Sequence, residues 1–430
     1  MRVIRRPAAL AVVVFATTAM FSMPASAHDP DTPEGQAAAQ AYMQDLKPND
    51  RDAKVAGATV PCENGMAGKY PCSNVDLLST MPLADIGGGQ GNDIWGWTDP
   101  ADGKEYALMG RTNGTAFVDV TDANNPVYLG NLPSNGGSSA WRDIKVYKDH
   151  AFVVADMISG HGMQVFDLAK LRGVTSPQTF EADALYQKFG PAHNIALNEA
   201  TGFAYAIGSD TCSGGPHMID LADPKAPVSA GCVSEDGYTH DTQCVVYNGP
   251  DADYQGRELC FNSNEDTVTI VDVTDKAAPK QIVRKAYDGA SYSHQGWLTE
   301  DQRYYLHDDE LDEQNSADGH TKTYLFDMAD LDAPQPLGVY TAGVASIDHN
   351  QYIKGKYSYQ ANYQSGLRIL DTGAVAEGTL TEAGFFDIYP GSDTPNFNGA
   401  WSVYPYFASG NVIVSGIEQG LVVVRPTVTG

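Results

Sequence analysis

Short apolar runs separated by turn-forming residues dominate the chain from about residue 74 onward. Within these runs, apolar residues either alternate with polar ones or follow one another directly, and neither pattern has the 3.6-residue period of an amphipathic helix. The runs are therefore predicted to be β-strands. One of them, an apolar strand ending in aspartate, recurs at intervals of 44 to 55 residues. The aspartates of its six copies are Asp119, Asp167, Asp220, Asp272, Asp327 and Asp371.

Each copy of this strand belongs to a larger repeating unit. Two β-rich runs precede it and one follows it, so a unit contains four strands. Seven units are present, and the last, which contains GLVVVRP at 420–426, stops after its third strand. Units of this length with four antiparallel strands are typical of β-propeller blades. We therefore predict an all-β fold at 73–426, a seven-bladed β-propeller of four-stranded blades whose ring is closed by an N-terminal strand at 73–83.

The first 72 residues do not follow the repeat. Basic residues, a short apolar stretch and the small-residue sequence PASA predict a signal peptide at 1–27, cleaved near Ala27. Residues 28–72 are predicted to form a leader with a short helix at 35–46 and a local disulfide. No later stretch has the length and apolar character of a transmembrane helix. We therefore expect a secreted protein, extracellular or periplasmic.

The six cysteines fall into three pairs of near neighbours. An even number of cysteines in an exported chain favours disulfides over thiolate metal sites. Many pairings are formally allowed, but each near-neighbour pair is close enough in sequence to bridge one hairpin or loop. The predicted disulfides are Cys62–Cys72, Cys212–Cys232 and Cys244–Cys260.

The chain is strongly acidic, with a formal net charge of −27. Because nucleic acids are bound through lysine and arginine, a nucleic-acid partner is not expected. An exported protein of this charge is suited to holding cations. The expected partner is an extracellular ligand, glycan or protein, and the chain is expected to act as a monomer.

Four histidines stand at the starts of four successive units, each followed by Asn, Asp or Gln. The first strand of a propeller blade lines the central channel, so residues at its start are predicted to converge at one mouth of that channel. The four are His193, His240, His294 and His349. Carboxylates of a loop at the same mouth complete the predicted metal ligands, which are Asp308, Asp309 and Glu310. Histidine and carboxylate ligands suit a divalent transition metal such as Zn, Mn or Cu. Histidines repeated only for packing would give the same pattern, and both interpretations stay open.

Further polar side chains are predicted around the histidines, where they would orient the imidazole rings. This predicted polar ring consists of Asn92, Asp93, Arg142, Asp143, Asn194, Asp241, Gln295 and Asn350. Two acidic loops, 307–314 and 248–258, are candidate calcium sites because Ca²⁺ prefers oxygen ligands. Acidic loops are also expected in any chain this negative, so ordinary solvated loops remain the alternative.

Several stretches carry a resemblance to a known family. The strands ending in V-D or F-D resemble LVIVD repeats. The strings NDIWGWTDPADGKEYALMG, GTAFVDVTD, WRDIKVY, AHNIALN, YTHDTQCVVYNGPDADYQGRELCFNSNEDT and HQGWLTED are similar to the choice-of-anchor B family of bacterial surface and secreted proteins. The resemblance covers roughly residues 62 to 425. It implies an exported β-propeller, and it implies no particular reaction or catalytic residues.

Two functions fit these observations. The first is a secreted binding or scaffold protein that acts through the channel mouth carrying the four histidines. The alternative is a metal-dependent extracellular enzyme using the same site, either a lyase or hydrolase acting on an acidic polysaccharide or a copper oxidase. A propeller fold does not decide between them, because function depends on the site and not on the fold.

Overall fold

The computed structural model describes residues 54–428. The predicted signal peptide and the predicted helix at 35–46 lie outside the described residues. Seven antiparallel sheets surround a central channel, one for each repeating unit. We number the blades 1 to 7 in the order of their innermost strands. The predicted fold class and the predicted number of blades are confirmed.

Every blade has an inner, a second, a third and an outer strand. The inner strands, from blade 1 to blade 7, are Gly91–Thr98, Arg142–Tyr147, Asn194–Asn198, Asp241–Val246, Ser293–Leu298, Asn350–Lys354 and Ala400–Tyr404. The second strands are Glu105–Arg111, His150–Ala155, Phe203–Ile207, Glu258–Ser263, Tyr304–Asp309, Tyr357–Ala361 and Val412–Gly416. The third strands are Gly114–Asp119, Met163–Asp167, His217–Asp220, Val268–Asp272, Lys322–Asp327, Leu367–Asp371 and Gly420–Pro426. The outer strands are Val127–Pro133, Ala184–Tyr186, Val228–Cys232, Lys280–Lys285, Gln335–Thr341, Thr381–Phe386 and Val75–Met81.

The remaining elements are short. Three additional strands extend the outer edges of blades 1 and 6, and they are Met66–Ala67, Tyr70–Ser73 and Gln178–Thr179. The 3₁₀-helices are Leu83–Ile86, Leu168–Leu171, Cys212–Gly214 and Val375–Glu377, and the α-helix is Asp312–Asn315. Within residues 54–428, none of these helices has the length and apolar character needed to cross a membrane.

The ring is closed by a strand from the N-terminal side of the chain, as predicted. Val75–Met81 pairs antiparallel with Gly420–Pro426, with Leu77 opposite Val424. The preceding strand, Tyr70–Ser73, pairs with the outer strand of blade 6. One continuous stretch therefore covers the edges of two neighbouring blades, which removes strand edges that would otherwise be open to aggregation.

The three predicted disulfides are confirmed. The Cα–Cα distances are 6.0 Å for Cys62–Cys72, 5.4 Å for Cys212–Cys232 and 4.0 Å for Cys244–Cys260. The last of these links the inner and second strands of blade 4 across directly paired residues. Each disulfide closes a short segment of chain, as expected from the spacing of the cysteines.

The aspartate that defines the repeat has a structural role in its turn. In all six copies the carboxylate accepts a hydrogen bond from the backbone N–H two residues later, at 2.8 to 3.0 Å. For example, Asp119 accepts from Thr121 and Asp371 accepts from Gly373. Such Asx turns end a strand and redirect the chain. The repeated aspartate therefore has a structural role at the blade boundary, and the candidate functional residues are others.

Candidate metal centre

The four predicted histidines lie side by side at the end of the channel where the inner strands begin. We call this end the histidine mouth and define it by His193, His240, His294 and His349. Their ring centroids are 4.4, 4.1 and 4.5 Å apart from one blade to the next. All four side chains are buried. The repeat thus brings together residues about 50 positions apart in the sequence.

One ring nitrogen of each of three histidines is used to join neighbouring blades. His240 Nδ1 lies 3.0 Å from the backbone oxygen of His294, and His294 Nδ1 lies 3.1 Å from that of His349. His349 Nδ1 makes the same contact with the backbone oxygen of Trp401. A carbonyl oxygen only accepts hydrogen bonds, so each Nδ1 must carry the proton. The lone pair of the neutral imidazole is therefore on Nε2, the nitrogen that a metal would bind.

Two of these Nε2 atoms lie close to one carboxylate. His294 Nε2 is 3.8 Å from Glu310 Oε2, and His349 Nε2 is 3.7 Å from Glu310 Oε1. The three residues offer ligand atoms that all lie within 4.8 Å of one another. Two ligands of one tetrahedral zinc stand about 3.3 Å apart, given metal–ligand distances near 2.0–2.1 Å. The two measured separations exceed this spacing by about 0.5 Å or less, and the imidazoles and the carboxylate would have to move closer together to share an ion.

The environment of Glu310 raises its pKa. The side chain is 2 % exposed, and burial raises the pKa of the carboxyl to about 7, although the hydrogen bond from Tyr363 opposes this. The Tyr363 hydroxyl donates to Glu310 Oε1 at 2.7 Å. A buried carboxylate with a raised pKa is stabilised in its charged form by a nearby cation. A cation at this position would therefore favour the charged form of Glu310.

An apolar cluster lies at the same mouth. It contains Ala140, Trp141, Ile347, Tyr363, Trp401 and Ile417. The rings of Tyr363 and Trp401 lie 4.8 and 4.9 Å from the ring of His349. Five of these residues belong to segments that precede inner strands or follow second strands, and Trp401 lies on the inner strand of blade 7, so blades on several sides contribute to the cover. The three candidate ligands are accordingly shielded from water.

His193 and His240 extend the arc without joining the three-residue group. His193 Nδ1 is 2.9 Å from Asp156 Oδ2. Asp156 follows the second strand of blade 2 in the way that Glu310 follows the second strand of blade 5. The repeat has therefore produced a histidine–carboxylate pair at each end of the arc. At the blade 2 end, however, the carboxylate faces Nδ1.

The other two predicted carboxylate ligands are held by neighbouring groups. Asp308 accepts hydrogen bonds from the Gln295 backbone and the Gln351 side chain, both at 2.9 Å, and lies 3.3 Å from His294 Nδ1. Asp309 accepts from the Tyr287 hydroxyl at 2.6 Å and from two backbone N–H groups at 291–292. Asp308 thus orients His294 from the side away from the candidate metal position. The hydrogen bonds of Asp309 fix the segment 287–292 that precedes the inner strand of blade 5.

The predicted polar ring divides into two groups. Asn92 and Asn194 donate to backbone oxygens of the next blade, as the histidines do. Gln295 bonds to the backbone of Gln351 in blade 6. Arg142 binds the backbone oxygen of Arg111 at 3.1 Å and so contributes to the contact between blades 1 and 2. These residues hold blades together.

The acidic members of the ring lie deeper in the channel. Lys145 Nζ is 2.5 Å from Asp143 and 3.4 Å from Asp93. Burial is the largest influence on the pKa of Asp241 and raises it to about 7. Asn350 is buried at the start of its strand. The ring is therefore not one layer at the mouth but extends along the channel wall.

Two buried carboxylates near the histidines were missed by the sequence analysis. Asp348 and Glu313 are 1 % and 3 % exposed, and Glu313 Oε1 accepts from the Asp348 backbone at 3.3 Å. Burial and the charge of Glu313 raise the pKa of Asp348 well above its usual value. Among residues 54–428, neither carboxylate oxygen of Asp348 has a hydrogen-bond partner. Both residues could have been identified from the sequence, because Asp348 directly precedes His349 and Glu313 lies in the acidic loop 307–314.

The second acidic loop, 248–258, contributes to a separate group on the outside of the propeller. Asp251, Asp330 and Asp332 have carboxylate oxygens within 4.8 Å of one another, and Asp330 and Asp332 are exposed. Asp251 accepts from the Leu331 backbone at 2.9 Å. Such a contact is that of an ordinary turn, and calcium binding at either loop stays a prediction.

Comparisons with known proteins show the fold alone. No family model and no curated protein sequence matches the chain. Among solved structures, the β-propeller domain of Myceliophteria thermophila Cps50 (Swd1) is similar, with a TM-score of 0.51, 14 % identity, and coverage of 79 % of this chain and 98 % of that one. A protein from Lactobacillus plantarum has a TM-score of 0.47 and 14 % identity over 76 % of this chain and 89 % of its own. A chain of the Mitotic Checkpoint Complex has a TM-score of 0.48 and 11 % identity over 74 % and 85 %.

Proposed function

We propose that this chain is an exported binding or scaffold propeller of the choice-of-anchor B type that holds a divalent transition metal at His294, Glu310 and His349. The signal-peptide pattern of the N-terminal sequence supports export, and the three disulfides fit an oxidising compartment. The resemblance to LVIVD repeats supports the family. The protein acts as a monomer on an extracellular ligand.

One observation carries the metal proposal, namely that two imidazoles and one carboxylate converge in a buried position. Each imidazole is turned by its Nδ1–H bond to the next blade, so the Nε2 lone pairs of His294 and His349 are directed before any ion arrives. Glu310 supplies negative charge between them. Preorganised ligands bind a metal without the cost of ordering flexible side chains. Zn, Mn and Cu all accept this ligand set.

The burial of the centre favours a structural role for the metal. Catalytic centres keep one coordination position open to water or substrate, whereas structural sites are closed. His294, Glu310 and His349 are 1 %, 2 % and 5 % exposed, and Trp401 and Tyr363 pack against them. A polysaccharide has no route to ligands buried in this way. The metal therefore stabilises the ring, and the binding or scaffold function is preferred to the enzyme.

The proposal is tested with a matched pair of variants, His294→Asn and His240→Asn. Asparagine keeps a side-chain N–H for the carbonyl of the next blade, as Asn92 does for Ala140, and removes the Nε2 ligand. Both proteins are stripped with chelator and titrated with Zn²⁺, Mn²⁺ and Cu²⁺, and bound metal is measured by elemental analysis. We expect one ion per chain in the wild type and in His240→Asn. In His294→Asn, affinity falls by more than roughly a hundredfold, since even partners one step removed from a metal contribute ten- to hundredfold.

Thermal unfolding provides a second measure. At a metal concentration about 100 times the Kd, binding adds about 2.7 kcal/mol to the free energy of unfolding. Wild type and His240→Asn should show this increase, and His294→Asn should not. The proposal is wrong if the stripped wild type takes up none of the three metals. It is also wrong if the two variants lose affinity equally.

A further inference from the structure

The opposite end of the channel contains a cavity of about 360 Å³. It lies mainly where the inner strands end, and its wall extends along the inner strand of blade 4 as far as Asp241, the residue after His240. Five aromatic side chains line it: Trp95, Trp297, Tyr352, Tyr404 and Tyr406. We call this end the aromatic mouth and define it by these five residues. The volume is within the range of small-molecule sites.

The aromatic rings meet edge to face. The interplanar angle is 76° for Trp95 with Tyr352, 71° for Trp297 with Tyr352 and 77° for Tyr404 with Tyr406. Rings at such angles form a corner in which several π faces border one volume. The face of an aromatic ring is electronegative, so a cation within about 6 Å of the ring centroid is attracted to it.

The protein already places one cation against this wall. Lys145 Nζ lies 4.6 Å from the centroid of the Trp95 ring. The carboxyl groups of Asp143 and Asp93 lie 2.5 and 3.4 Å from the same ammonium group. The charge of Lys145 is thus compensated before a ligand enters.

Carboxyl groups outnumber basic groups around the cavity. Asp241 and Glu199 also line it. Within residues 54–428, Lys145 is the only basic side chain among those lining the cavity. Four carboxyl groups therefore stand against one ammonium group, counting Asp143 and Asp93, and burial raises the pKa of Asp93, Asp241 and Glu199, so that a nearby cation would favour their charged forms. This balance opposes an anion and supports a second, organic cation.

We infer that the aromatic mouth binds a small organic cation whose ammonium group is methylated. Methyl groups weaken the hydration of the ammonium, so it enters an aromatic corner more readily than a bare one. The half-buried rings of Trp297, Tyr404 and Tyr406 supply the surface that contacts the methyl groups. Asp241 and Glu199 supply the countercharge. The proposed metal ligands His294, Glu310 and His349 are not among the residues that line this cavity.

The first test compares choline with its uncharged isostere, 3,3-dimethylbutan-1-ol, by isothermal titration calorimetry on the intact protein. The two probes have the same shape and differ in charge. We expect choline to bind at least tenfold more tightly. Equal affinity would mean that the cavity selects apolar shape, and no choline binding up to 50 mM, roughly the weakest affinity of interest, would also overturn the inference. Cellobiose is titrated in parallel, and binding of this sugar in place of choline would overturn the inference in favour of a carbohydrate.

The second test places the binding in the cavity with Tyr406→Leu and a matched control, Tyr304→Leu. Both tyrosines are half-buried, and Tyr304 lies on the second strand of blade 5, outside the cavity lining. Loss of one cation–π partner should weaken choline roughly threefold to tenfold in Tyr406→Leu and leave Tyr304→Leu unchanged. The isostere should respond equally little to both substitutions. An equal loss of choline affinity in both variants would contradict the assignment.

Discussion

The histidine mouth and the aromatic mouth lie at the two ends of the same seven inner strands. They differ in how far protein encloses their charged groups. At the histidine mouth, His294 and Glu310 are at most 2 % exposed, and an apolar cluster lies over them. At the aromatic mouth, Trp95 and Trp297 are only half-buried and border a cavity of about 360 Å³. The charged groups at the histidine mouth are therefore enclosed by protein, whereas those at the aromatic mouth border a cavity.

The way in which side chains are held differs as well. At the histidine mouth three of the four imidazoles donate to the backbone of the next blade, as His240 does to His294. At the aromatic mouth the rings are held mainly by contacts with one another, such as Trp297 with Tyr352. Directional hydrogen bonds fix an orientation within narrow limits, whereas ring contacts tolerate small rotations. The first arrangement suits a metal ion, and the second suits a ligand that must enter and leave.

The largest expected effect comes from removing one tryptophan at each end. Trp401→Ala deletes a side chain that is 7 % exposed and packs against His349 and Tyr363. We expect the free energy of unfolding to fall by about 3–5 kcal/mol, the usual cost of a buried aromatic deletion. Trp297→Ala removes a half-buried ring at the open end and should cost less than about 2 kcal/mol. Urea denaturation with the disulfides intact measures both.

The proposed difference between the two mouths would be contradicted if the two substitutions lowered the free energy of unfolding equally. It would also fail if Trp401→Ala left the zinc-dependent stabilisation unchanged, because the contact with His349 would then not support the metal centre. Trp297→Ala serves as the control for metal binding, since it lies at the other end of the channel.

The next prediction concerns pH at the open end. Burial, reinforced by Asp143 and opposed by Lys145, raises the pKa of Asp241 from 3.8 to about 7. A carboxyl whose folded pKa is raised contributes stability below its unfolded pKa and loses that contribution as the pH rises through the folded value. Wild type should therefore lose stability between pH 5 and pH 8 relative to Asp241→Asn. We expect the difference between the two proteins to change by about 2 kcal/mol, after discounting for water that reaches this side chain.

Urea denaturation in EDTA at pH 5, 6, 7 and 8 tests this prediction. EDTA keeps the metal centre from adding its own pH dependence. Asp253→Asn, a substitution of an exposed carboxylate in the loop 248–258, provides the control and should run parallel to wild type. If Asp241→Asn also runs parallel, the carboxyl does not titrate in this range.

Most of the fold was predictable because its signals are local. The truncated last unit around GLVVVRP required a strand from elsewhere, and 73–83 was the available candidate. The cysteines were paired by proximity alone, as in Cys244–Cys260. The repeated aspartates marked the turns. Each inference needed only the order of residues and the period of the repeat.

The candidate site was only partly predictable, because details of register decide it. Sequence alignment of the units put four histidines on one arc, which the structure also has. It did not show that blade 5 contains a register shift between Ser293 and Gln295, so that His294 occupies the bulge. A bulge redirects a side chain, and Glu310 follows directly after the strand opposite it. The aromatic mouth depends on residues near the far ends of several strands and on Tyr406 in a loop, which no short motif reveals.

The smallest expected effect comes from removing one hydroxyl at each mouth. Tyr363 donates to Glu310 at 2.7 Å in a fully buried setting, whereas half-buried Tyr406 donates to the Ile353 backbone at 3.1 Å. Tyr363→Phe should lower the free energy of unfolding by about 1–2 kcal/mol, because a buried carboxyl loses a donor. Tyr406→Phe should cost about 0.5 kcal/mol, since water replaces the bond. Tyr363→Phe should also raise the pKa of Glu310 further and move zinc uptake to higher pH, which a pH series of zinc titrations measures. Equal stability losses, or an unchanged pH dependence of zinc uptake in Tyr363→Phe, would mean that Tyr363 does not act through Glu310 and that the two mouths do not differ in this respect.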